Sequence, residues 1–149
     1  MRRIGIPVIL GALAALLAGA VAVATPSAGV ALTELARADS IEPFSLDAQG
    51  DNDVIVLKAT IEPGGTTGWH SHPGLEIAVV KAGTLTVYNA DCLPRTVTAG
   101  HGRVQHAKTI HMGRNEGSEP VELYATFVVP HGSPVRVDEN PPQGCSVPG

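Results

Sequence analysis

Two histidines two residues apart, His70 and His72, carry the clearest chemical signal in the chain. Side chains alternate faces along a strand, so a strand through this pair presents both imidazoles on one side. That is the geometry two imidazoles need to share one metal ion. A carboxylate follows at Glu76, with Pro73 and Gly74 between to turn the chain. A divalent ion held inside a protein wants three or four protein ligands, and a further candidate imidazole stands at His111. Taken alone, the His-x-His pair reads equally well as two surface or hydrogen-bonded histidines on one strand.

The spacing of the neighbouring residues turns that balance. Gly64, five residues, His70, one residue, His72, three residues, Glu76, six residues, Gly83 resembles the first sequence motif of the cupins without a gap. Gly100, His111 and Asn115 fall at the glycine, histidine and asparagine positions of the second motif, while His106 and Lys108 stand where the family has Pro and Gly. The stretch between the motifs, Thr84 to Ala99, is near the short end of what cupins use, and the resemblance covers roughly residues 54 to 130.

The resemblance implies an all-β fold, a jelly-roll barrel or double-stranded β-helix. It also implies a mononuclear metal site of His70, His72, Glu76 and His111. Three neutral imidazoles and one carboxylate suit a divalent transition metal, Mn, Fe, Co, Ni, Cu or Zn, rather than Ca or Mg. One or two coordination positions would stay open, and a net charge near +1 would draw an anion and acidify a bound water. Cupins with this ligand set include dioxygenases, isomerases and decarboxylases. The expectation is an exported metal-binding cupin acting as a small-molecule oxygenase or isomerase. The alternative is a non-catalytic metal or small-ligand binding protein of the cell envelope, which the two departures in the second motif keep open.

The 149 residues suggest one domain. Met1-Arg2-Arg3 precedes an uncharged run from Ile4 to Ala24, and Ala22-Val23-Ala24 offers a small-residue cleavage site. These are the parts of a secretory signal peptide, placing residues 1–24 in a leader and 25–149 in a single cupin domain. An uncleaved anchor is the alternative, since the run could just span a bilayer; its Gly and Ala content and the cleavage site favour removal. The expected location is secreted or cell envelope, with no membrane partner after the leader is removed. Loss of Arg2 and Arg3 takes the formal net charge from -4 to -6. That charge, with no Lys/Arg cluster, argues against a nucleic-acid partner. A small-molecule ligand is the expected partner, and a homodimer is left open. Cys92 and Cys145, an even count in an oxidising compartment, read as one disulfide.

The elements that must position these residues read as strands over Val54–Ile61, Trp69–His72, Leu75–Val80, Thr84–Tyr88, Arg95–Thr98, Arg103–Lys108, Thr109–Gly113 and Val121–Val129. Many short strands punctuated by Gly, Pro and Asn indicate a barrel or a double-sheet jelly roll. Residues 31–38 read as one or two helical turns or an extended arm lying on the barrel, and the Pro/Gly-rich tail from Val137 as held by the disulfide. His106, five residues before His111, is a weak candidate for a catalytic proton shuttle if residues 103–111 form one bent strand facing the cavity. His101 reads as surface, His131 as rim, and Asn115 as a turn former holding the His111 strand. Trp69, opposite in parity to His70, is expected to pack between barrel and N-terminal arm.

Overall fold

A computed structural model describes residues 33–46 and 48–146; the expected leader lies outside them. Among the described residues there is no helix. Ten strands run in order: β1 Asp39–Ser40, β2 Asn52–Ile61, β3 His70–Ser71, β4 Leu75–Ala82, β5 Thr84–Asn89, β6 Pro94–Thr98, β7 His101–Gln105, β8 His111–Arg114, β9 Val121–Pro130 and β10 Val137–Asp138. They form two five-stranded sheets of order β1-β7-β4-β9-β2 and β10-β3-β8-β5-β6. All pairings are antiparallel except β1 with β7. This is the expected all-β double-sheet fold, with the expected disulfide joining Cys92 and Cys145.

Strand β9 shows how alternation builds the core. Val121, Leu123, Ala125, Phe127 and Val129 are buried, while the residues between them are partly exposed. They join Ile61, Val80, Leu85, Val87 and Val97 in one apolar cluster between the sheets. Each large side chain withdrawn from water in this way contributes about 1.5–3 kcal/mol. A second, smaller cluster of Trp69, Tyr88 and Met112 lies on the far side of β3, β5 and β8, with Ile110 and Cys145 packed on it. Trp69 therefore packs with Cys145 of the C-terminal tail, which corrects the expectation of the N-terminal arm.

Two glycines set the path through the first motif. A Cβ on Gly74 would stand 1.9 Å from the Val128 carbonyl oxygen. Only glycine lets the chain cross β9 that closely between His72 and Glu76. Gly83 has φ +77° and joins β4 to β5, where a Cβ would meet the Pro120 carbonyl oxygen at 2.7 Å.

The segment before the barrel is an extended arm, with Asp39 and Ser40 in register with His101 and Gly102 of β7. The tail adds β10 to β3, pairing Val137 with Ser71 and Asp138 with His70. The expected strand 103–108 ends instead at Gln105, and residues 106–109 turn, because the Lys108 amide bonds the His72 carbonyl at 2.8 Å.

Candidate metal centre

His70 and His111 are direct cross-strand partners on β3 and β8, which places their side chains side by side on one face. His72 follows two residues after His70 on the same face. The three rings sit with centroids 4.3–5.1 Å apart, and their ligand nitrogens all lie within 4.8 Å of one another. All three residues are buried. Glu76, the second residue of β4, brings a carboxylate from the opposing sheet. Its Oε2 lies 3.4 Å from His72 Nε2 and 3.5 Å from His111 Nε2.

The tautomers follow from what each Nδ1 touches. His70 Nδ1 lies 2.8 Å from the Gly68 carbonyl, His72 Nδ1 2.7 Å from Val135, and His111 Nδ1 3.0 Å from Thr109. A carbonyl only accepts, so each Nδ1 carries the hydrogen and donates it. Each neutral ring then presents a bare Nε2 lone pair. His72 Nε2 is a buried atom with no hydrogen-bond partner. Fixing the imidazole through its far nitrogen is the usual support of a metal-binding histidine. At metal–ligand lengths of about 2.0–2.2 Å, ligands at right angles lie roughly 3 Å apart, close to the Glu76–imidazole separations. The donor set fits a divalent transition ion.

Electrostatics agree with a neutral His70 imidazole near an ionised Glu76. Burial lowers the His70 pKa to about 4, with the other two rings adding to the effect against a raising contribution from the Gly68 bond. For Glu76 burial acts to raise the pKa, but the nearby His111 and His72 imidazoles, which in their protonated forms would donate to it and face it with positive charge, outweigh burial and hold it at about 2.

The site opens into a cavity of about 180 Å³ between the sheets. Its walls are largely apolar, with Leu57, Leu85, Val87, Leu123 and Phe127 among them. Arg103 and Arg136 also line it.

Residues 57–129 match the family described as Cupin domain. The protein belongs to the cupin superfamily. Among solved structures, the cupin resembles a protein with a double-stranded β-helix domain from Klebsiella pneumoniae, at 21% identity and TM-score 0.51, covering 62% of this chain and 76% of that one. It also resembles oxalate oxidase in complex with the substrate analogue glycolate, at 27% identity and TM-score 0.50, covering 56% of this chain. A recombinant oxalate oxidase with glycolate gives 27% and 0.50 over 57% of the chain. The cupin spans 45% of each oxalate oxidase chain. No curated protein matches it.

The structure brings His70, His72, Glu76 and His111 of this cupin together and leaves His106 out. His106 is exposed on the turn after β7 and does not line the cavity; the proton-shuttle expectation fails because the strand ends at Gln105. Lys108, where the family's second motif has Gly, holds φ +60°. That is the left-handed region that favours glycine. Asn115 is wholly buried, donating to the Ile61 and Glu119 carbonyls at 2.8 Å each and accepting from the Gly117 amide. With its backbone bonded to Gly64 and Gly65, it ties the end of β8 to the first motif, as expected. His101 and His131 are exposed; His131 pairs with Asp53 at 2.7 Å.

Three contributors carry no signal in the sequence motifs. Val135 orients His72 through its carbonyl, and Arg136 reaches the Thr67 carbonyl at 2.9 Å while pairing with Asp138. Arg103 faces inward because it lies in register with Ala78, two residues on from Glu76.

Proposed function

We propose that this cupin holds one divalent transition ion on His70, His72, Glu76 and His111 and acts on a small molecule at the ion's free positions. The observation that carries the reading is the set of three imidazoles, each tied through Nδ1 to a carbonyl, with their ligand nitrogens clustered and those of His72 and His111 beside the Glu76 carboxylate. When bound, such an ion supplies Lewis-acid or redox chemistry and lowers the pKa of a water ligand. The chain's own residues orient the ligand set, keep the imidazoles neutral and exclude bulk water with apolar walls.

Among the described lining residues, the titratable groups other than the four proposed ligands are Arg103 and Arg136. An isomerase or decarboxylase that moves protons through a side chain finds no carboxylate or imidazole to spare. Chemistry centred on the ion needs none, so we favour the oxidase or oxygenase class, a reading supported by the likeness to oxalate oxidase. The same feature serves a binding protein without turnover, our second reading. We also propose export, supported by the leader-like start and by a disulfide typical of oxidising compartments.

Elemental analysis of protein reloaded with Mn, Fe, Co, Ni, Cu or Zn is expected to find about one ion per chain. His111→Ala is expected to lose most of it, because it removes the ligand brought by β8. A wild-type protein that retains no ion under any reloading overturns the reading.

A further inference from the structure

The cavity wall carries a cation with an unfilled bond. Arg103 Nη2 donates to Gln105 Oε1, which uses part of the guanidinium. Its Nε is buried with no hydrogen-bond partner. No carboxylate pairs with it among the described residues. Arg136, the other cation of the wall, is already answered by Asp138 at 2.5 Å and by the Thr67 carbonyl. A buried donor without a partner costs more when it is charged. Burial also lowers the Arg103 pKa, against the opposing pull of the Glu76 and Glu42 carboxylates, neither of which is paired with it.

We propose that Arg103 is a specificity-determining residue of this cavity, and that the ligand is a small organic carboxylate held between Arg103 and the metal position. The proposal rests on the metal-centre reading and names its substrate class. Arg103 stands two residues along β7 from Gln105, which is in register with Glu76. That is roughly 7 Å of strand, a separation a small acid with a second oxygen function can bridge. A divalent ion, Glu76 and Arg103 together leave a net charge near +2, which an anion offsets and a neutral molecule does not. The volume of about 180 Å³ lies below the roughly 300–1,000 Å³ of pockets for drug-sized ligands, so the acid is small. Arginine's planar fork is suited to carboxylate recognition.

The test uses the full exported chain, reloaded with Mn²⁺ or Co²⁺ and its metal content measured first. Oxalate, glycolate and, as a neutral metal ligand, imidazole are then titrated by calorimetry into wild type, R103Q and R103K. R103Q is expected to keep its metal, to bind oxalate and glycolate about ten- to a hundredfold more weakly, and to bind imidazole as wild type does. R103K, which keeps the charge and loses the buried Nε–H, should fall between. R103Q binding both acids as tightly as wild type overturns the proposal, as does a wild type that binds neither. Should R103Q not fold, R103K decides in its place: weaker acid binding supports the assignment and unchanged binding refutes it. If wild type holds no metal, the metal reading alone has failed. The titrations on that metal-free chain still decide, because Arg103-dependent oxalate binding supports the proposal and its absence overturns it.

Discussion

Opening the Cys92–Cys145 bridge should disturb the imidazole cluster as well as the fold. The bridge closes a separation of 53 residues, for which the chain-entropy treatment gives about 4 kcal/mol of stabilisation. For a barrel of this size that is on the order of 10–15 °C in melting temperature. The local consequence is more specific. Cys145 packs on Trp69, Tyr88 and Met112, the outer face of strands whose inner face carries His70 and His111. The tail before it bonds the same strand repeatedly: Glu139 N to the Trp69 carbonyl at 3.0 Å, Ser71 Oγ to Glu139 at 2.7 Å, and His72 Nδ1 to Val135 at 2.7 Å. Freeing the tail removes the carbonyl that sets the His72 tautomer. Losing such a support typically weakens metal affinity about 10–100-fold. We therefore expect Cys145→Ser to lower the melting temperature and to weaken metal binding in a chelator competition. A variant that melts as wild type does would refute the stability argument. One that melts lower yet binds metal with unchanged affinity would refute the link from tail to His72.

Metal-free protein should lose stability between neutral pH and pH 4.5. His70 titrates near 4 when folded and near 6.5 when unfolded, so the unfolded chain takes up the proton first and gains by about 2.5 kcal/mol at pH 4.5; urea unfolding across this range should show the fall, its His70→Gln counterpart should lack it, and a flat profile in wild type would contradict the assignment. Lys108→Gly should stabilise by about 0.5–1 kcal/mol, because holding the left-handed region costs a residue with a side chain more than glycine's added chain entropy does; a higher urea midpoint at unchanged slope is the expected result, and a lower midpoint would count against it.

Most of the barrel and the convergence of His70, His72 and Glu76 could be read in advance because their signals are side-chain signals. Val121 to Val129 alternates without a break, and the structure buries every second residue of it. His70 and His72 share parity, and the Pro73-Gly74 pair announced the turn that Gly74's contact with Val128 requires. His111 is harder to place from periodicity alone, since its pairing with His70 is a long-range register that nothing local encodes. The family spacing supplied it. The error over His106 has a related cause: the run Arg103 to Lys108 has strand-like composition, but the bond from Lys108 N to the His72 carbonyl bends the chain away.

What stayed illegible is backbone chemistry and inverted polarity. A carbonyl such as that of Val135 has no residue-type signature, and a Pro/Gly-rich tail that reads only as held by its disulfide gives no sign of the strand it adds beside His70. In β7, a polar-outward reading of alternation would send Arg103 and Gln105 to solvent and Gly102 and Val104 inward. The register with Ala78 and Glu76 reverses it, placing Arg103 on the cavity wall and burying Gln105 beside Glu76. Alternation reports parity, and which parity faces in is decided by the partner strand. A charged residue can face inward only where something answers its charge. Among the described residues a single carboxylate, Glu76, lines the cavity with two arginines, and Asp138 answers one of them. The inward turn of Arg103, with no ion-pair partner of its own, is the feature on which the proposed carboxylate ligand rests.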